Sequence, residues 1–175
     1  LDSSTAIGNI YNFVGINQGN YTPITRLIAP TKSQVFVLKS DYNPSEKTTL
    51  SSEVAISNND ANLFSSIGDT ENTALAAKIG WQQVLIDRKW QLTSNISHEY
   101  AHKNFKTLQR WEPVEFNRDW NLLTNNATKN YFQSEFNLQN KKNDFILYRY
   151  NHLNYATTFN GNKHELQSKI RHKNT

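Results

Sequence analysis

The run HEYAH, from His98 to His102, carries the H-E-x-x-H spacing of zinc peptidases. On an α-helix, histidines four residues apart share a face and can offer two imidazoles to one Zn²⁺, with the glutamate between them as general base. His98 and His102 would then be ligands, Glu99 the base, and Glu112 or Glu115 a third ligand. On a β-strand the two histidines also point to one side, but about 13 Å of backbone separates them, too far for one ion. Glu99 would face the other way. The chemistry therefore depends on whether this segment is helix or strand.

Two other groups of side chains invite a chemical reading. EPVEFNRDWN (112–121) brings Glu115, Arg118 and Asp119 close together in sequence. Paired carboxylates can hydrolyse glycosides, but an ion-pair network inside a barrel or on a strand flank suits these residues better. The loop NNDANLFSSIGDTENT (58–73) gathers Asp60, Asn62, Asp69 and Glu71. Such a loop could serve interaction or bind Ca²⁺, yet it lacks the D-x-D-x-D-G spacing of an EF-hand, and Asx-turns explain it more simply. The chain has no G-x-S-x-G, P-loop or G-x-G-x-x-G motif, and no cysteine. Nucleotide chemistry, thiolate metal sites and disulfides have no support. No cofactor is expected.

The elements that must position these residues follow period-2 alternation, the pattern of a strand with two unlike faces. In 34–42, Phe36 and Leu38 oppose Val35, Val37, Lys39 and Asp41. In 48–57, Leu50, Val54 and Ile56 oppose Glu53, Ala55 and Ser57. In 75–86, Ile79, Trp81, Gln83 and Leu85 oppose Lys78, Gln82 and Val84. In 89–102, Trp90, Leu92, Ile96 and Tyr100 oppose Gln91, Thr93, Asn95 and Glu99. That last run is poor in helix formers, so HEYAH belongs to a strand and its match to the zinc motif is accidental. Further runs cover 130–139, 144–159 and 164–172. Short turns at 43–47, 86–89 and 139–144 alternate with long polar stretches at 58–73 and 103–129, and Asn160-Gly161 predicts a hairpin turn.

Composition agrees. Eight Tyr, nine Phe and four Trp suit strands, while six Gly and four Pro leave the turns to an abundance of Asn. The net charge of +4 comes largely from the stretch KHELQSKIRHKNT and is that of a solvated surface, so no nucleic-acid partner is expected. No apolar run is long enough for a spanning helix. The chain opens without the basic and apolar regions of a signal peptide, consistent with a mature chain or an excised segment.

Three stretches, NFVGINQGNYTPITRLIAP (12–30), SSEVAISNNDANLFSSIGDTENTALAAKIGW (51–81) and RWEPVEFNRDWN (110–121), resemble segments of large β-rich cell-envelope proteins of the Bacteroidota. The resemblance spans roughly residues 10–121 and implies an outer-membrane barrel or extended sheet. It places HEYAH in a strand, carries over no catalytic residues, and makes 175 residues a fragment of something longer.

The sequence thus predicts an all-β protein: an antiparallel up-and-down meander of about eight strands, forming an outer-membrane β-barrel or part of one, as a single unit over 1–175. The expected role is non-enzymatic (structural, transport or interaction) in the bacterial outer membrane or at the cell surface. Partners would be outer-membrane lipid or other envelope proteins, with a glycan possible. The rivals are a soluble secreted β-domain binding glycan or protein, and a zinc metallopeptidase using HEYAH.

Overall fold

Aromatic and β-branched residues at alternate positions, with Asn, Asp and Ser between the runs, drive this chain into long strands. The computed structural model describes residues 3–5, 8–16, 18–20, 28–123 and 126–171. Residues 21–27 of the first resembling stretch and the basic tail beyond Arg171 lie outside the described residues.

Strands β1 (Ser3–Thr5) and β2 (Gly8–Ile10) pair with each other as a short hairpin. The main sheet has seven strands in sequence order: β3 (Lys32–Ser45), β4 (Thr48–Asp60), β5 (Thr73–Asp87), β6 (Trp90–Ala101), β7 (Lys129–Asn140), β8 (Phe145–Tyr155) and β9 (Phe159–Lys169). Every neighbouring pair is antiparallel, so the sheet is a meander. It is open: β3 and β9 are its edges and do not pair with each other. The only described α-helical turn is α1 (Phe116–Asp119), between β6 and β7.

The connections alternate. At one end, 46–47, 88–89 and 141–144 are tight turns. At the other end lie the excursions 61–72 and 102–128 and the three-residue turn 156–158.

Cross-strand register gives the sheet two chemically distinct faces, because a period of two keeps alternate side chains together across every pair. One row on the first face reads Lys39, Glu53, Lys78, Glu99 and Tyr131 from β3 to β7. Another includes Asn95, Glu135, Arg149 and Glu165. The opposite face carries rows such as Phe36, Ile56 and Leu75, or Tyr42, Leu50, Trp81 and Ile96. Every Asp, Glu, Lys and Arg in β3–β9 lies on the first face, except the strand-end pair Lys32 and Asp60. On the apolar face, Phe36 (66%), Leu38 (62%) and Ile79 (60%) are exposed.

Three details differ from expectation. The meander holds seven strands rather than about eight, with β1 and β2 forming a separate pair. The alternation in β5 shifts at a bulge between Val84 and Ile86, so Ile86, not Leu85, opposes Leu92. Asn160-Gly161 is not a turn. The run 144–159 instead breaks at 156–158, where Ala156 takes φ 42° and Thr158 N–H donates to the Tyr155 carbonyl at 2.8 Å. Gly161 sits inside β9 because a Cβ there would lie 2.8 Å from Phe159 Cζ and 3.3 Å from the Trp120 ring. Close approach of two rings, not backbone freedom, demands this glycine.

Candidate functional site

The charged face is built from the strand residues that alternate away from the apolar one, and its middle is a polar floor. Ser51, Gly80 and Ser97 lie side by side across β4, β5 and β6. Their small size leaves a concavity of about 340 Å³, bordered by Lys78, Gln133 and Arg149 among others. Several of the polar groups here satisfy one another. Arg149 Nε donates to Glu135 Oε2 at 2.5 Å, and Asn95 Nδ2 donates to Glu135 Oε1 at 3.2 Å. Glu165 lies 2.7 Å from Lys163 Nζ and 3.7 Å from Arg149. Gln133 Nε2 and the Tyr131 hydroxyl both donate to Asn151 Oδ1.

Towards the long-loop end the same face changes character. Ala55, Ala76 and Ala101 replace the polar side chains in β4, β5 and β6, and Phe105 packs against the cluster they form. The Lys106 backbone N–H donates to buried Ser57 Oγ at 3.2 Å. Across β7–β9, Phe116 and Trp120 pack with Leu153 and Tyr155, joined by Tyr131 and Phe159. Trp120 meets Tyr131 and Phe159 edge-on at 6.0 and 6.2 Å. The connection between β6 and β7 therefore lies across the charged face instead of projecting from it.

Lys129, the first residue of β7, is pinned beneath this connection and only 3% exposed. Its ammonium is paired with Glu99 of β6 and lies 2.7 Å from Glu112 of the connection. The Trp111 ring covers it at 4.1 Å, a cation–π contact. Burial, helped by the nearby Glu112 and Glu99 carboxylates, pushes the pKa of the Tyr155 hydroxyl up. A buried ammonium needs such partners, because an unpaired charge out of water is costly.

HEYAH lies at the end of β6, with His102 one residue past the strand. Glu99 points to the charged face and binds Lys129, while His98 takes the opposite face. His102 Nδ1 accepts from the Asn104 backbone N–H at 3.3 Å. Glu99 thus has a charge-balancing job in this strand. Among the described residues no group of three His, Cys, Asp or Glu is arranged to hold a metal ion.

Arg118 and Glu115 form an exposed pair at 2.9 Å on α1, while Asp119 turns to Lys163 at 4.0 Å. The three do not form a network of their own. Asp60, Asn62, Asp69 and Glu71 come together around a concavity of about 310 Å³, facing Lys103 and Lys106 of the neighbouring connection. Asp60 and Asn62 each cap a backbone N–H two residues on, at 2.9 and 3.1 Å, as Asx-turns do. Sequence reasoning missed Lys129 and Trp111. The available signal was a lysine opening a strand whose neighbour β6 carries a glutamate on the same face two residues before its end.

At the short-turn end, Asp144 accepts from Asn140 Nδ2 at 2.8 Å and from the Arg171 backbone N–H at 3.0 Å. The Asn140 hydrogen bond, with help from Arg171, holds its carboxyl below the usual carboxylate value.

Comparison with known protein families, curated proteins and solved structures finds no match for this chain.

Proposed function

We propose that this chain is a wall segment of a transmembrane β-barrel in a bacterial outer membrane, with a non-enzymatic structural or transport role. The apolar face is turned to lipid and the charged face to an aqueous interior. The observation that carries this reading is the segregation of charge: apart from the strand-end pair Lys32 and Asp60, none lies on the apolar face. A soluble sheet buried on one face would cover those side chains with a second layer, whereas here Phe36, Leu38 and Ile79 stand open.

Strand length supports the same reading. A tilted spanning strand needs about 9–11 residues, and β3–β9 run from 11 to 15. On the apolar face, β6 starts at Trp90 and ends near Tyr100, aromatics that suit the two interfaces. Five polar groups on that face in β8 and β9 are tied together: Tyr148 to His164 at 2.9 Å, and both Tyr150 and His152 to Asn162 at 2.9 and 2.8 Å.

Edge direction adds a constraint. In a seven-stranded antiparallel meander the first and last strands run in the same direction. A barrel closed by antiparallel pairs throughout therefore needs an odd number of further strands beside β3 and β9.

The test is extraction and reconstitution. On this proposal the protein partitions into detergent or lipid and precipitates from buffer alone. A protein that stays soluble and monomeric without detergent would overturn the membrane reading and favour a secreted domain binding glycan or protein.

A further inference from the structure

Six strands of the charged face are crossed by one connection. At one end of residues 103–123, Phe105 packs on the cluster of Ala55, Ala76 and Ala101. At the other, Trp120 reaches the backbone of Gly161 in β9. Between them runs an unbroken series of contacts: Phe105 meets Trp111 at 5.9 Å, Trp111 covers Lys129, Lys129 holds Glu112, and Phe116 meets Tyr131 edge-on at 5.8 Å. The sheet is shaped to receive it. The charged face carries alanines under Phe105, a glycine under Trp120 and a buried cation midway, while the uncovered part of the same face carries amides and ion pairs.

We infer that the 103–123 part of this connection is an inward-folded constriction of the interior, and that Lys129 is the positioning residue that latches it. This rests on the reading of the charged face as the barrel lumen. The latch joins two parts of different mobility. Glu99 and Lys129 belong to paired strands, whereas Glu112 and Trp111 belong to the connection, so losing the latter two frees the connection and leaves the strand pair Lys129–Glu99 in place. The constriction closes the long-loop end above the polar floor, and hydrophilic solutes reaching that floor from this side must pass it. The solutes it selects are small and water-soluble, since the floor offers hydroxyls, amides and paired charges, with Trp111 and Phe105 committed to the latch.

The absence of native cysteine allows a direct test. Single cysteines are placed at Ala76→Cys, under Phe105, at Gln82→Cys, on the uncovered floor, and at Ile79→Cys, on the apolar face. Each is titrated with a membrane-impermeant maleimide in reconstituted vesicles. Ala76→Cys should react at least about tenfold more slowly than Gln82→Cys, as expected of a site that must open locally to react. Adding Trp111→Ala and Glu112→Gln should bring it to the Gln82→Cys rate with the strand circular dichroism unchanged. If that variant loses strand signal, Phe105→Ser serves instead, since it empties the alanine pocket without touching the buried charge.

Equal rates at Ala76→Cys and Gln82→Cys in the parent chain would show that the connection does not fold inward. A rate that stays slow after the latch is cut would show that Lys129 does not hold it. Ile79→Cys reports separately on the membrane: fast reaction there overturns the lipid-facing reading whatever the loop does.

Discussion

With Lys129 replaced by Met, Glu99 and Glu112 would be left under the loop with no cation between them. Breaking a buried ion pair from one side costs about 3–5 kcal/mol, whereas replacing all its members by uncharged groups is close to neutral. Denaturant titration in micelles should therefore show Lys129→Met strongly destabilised. The triple change Lys129→Met, Glu99→Gln, Glu112→Gln should recover much of the loss. A triple variant no more stable than the single one would mean that packing, not charge, is what Lys129 supplies. Asp144 acts at the other end of the sheet. Its folded-state pKa is depressed, so the stabilisation it gives is present above the ordinary carboxylate value, about pH 4, and is lost as pH falls through the folded value. Asp144→Asn should thus speed hydrogen exchange around Asn140 and Arg171 at neutral pH. That difference from the parent should vanish in acid.

Two glycines in the strands test how tightly the elements fit. At Gly161 an added methyl meets the rings of Phe159 and Trp120, both held by neighbours, so Gly161→Ala should cost about 1–3 kcal/mol of overpacking. At Gly80 the methyl meets the side chain of Ser51 alone, chiefly its Oγ, and that hydroxyl can rotate away. Gly80→Ala should be nearly neutral in the same denaturant titration. The contrast also shows what a sequence can reveal. The faces of β3, β4 and β6 were legible residue by residue, because a two-residue period needs no knowledge of the neighbours. Gly161 was misread as a turn because Asn-Gly carries a strong local signal, while the reason for the glycine is two rings, Phe159 beside it in β9 and a tryptophan about forty residues earlier in the chain. The pairing of Lys129 with Glu112 was invisible for the same cause. Contacts between a long connection and a sheet leave no period to detect.

At the scale of the whole molecule, the sheet's two faces pose a single physical question: which solvent does each one meet? Charge placement gives a quantitative contrast. A lysine on a lipid-facing strand near the bilayer midplane costs about 2–4 kcal/mol, and one facing an aqueous interior costs little. Ile79→Lys should therefore cut the yield of membrane-inserted protein severely, while Ser97→Lys, on the charged face across from Gly80, should insert like the parent. The most direct measurement is a cysteine scan of β5 from Ala74 to Gln83 in lipid vesicles, with each site carrying a fluorophore read by lipid-borne quenchers. The account predicts a period of two, with Leu75, Ala77, Ile79 and Trp81 strongly quenched and Ala74, Ala76, Lys78 and Gln82 not. Uniform absence of quenching along the strand would contradict it and leave the apolar face to be covered by protein.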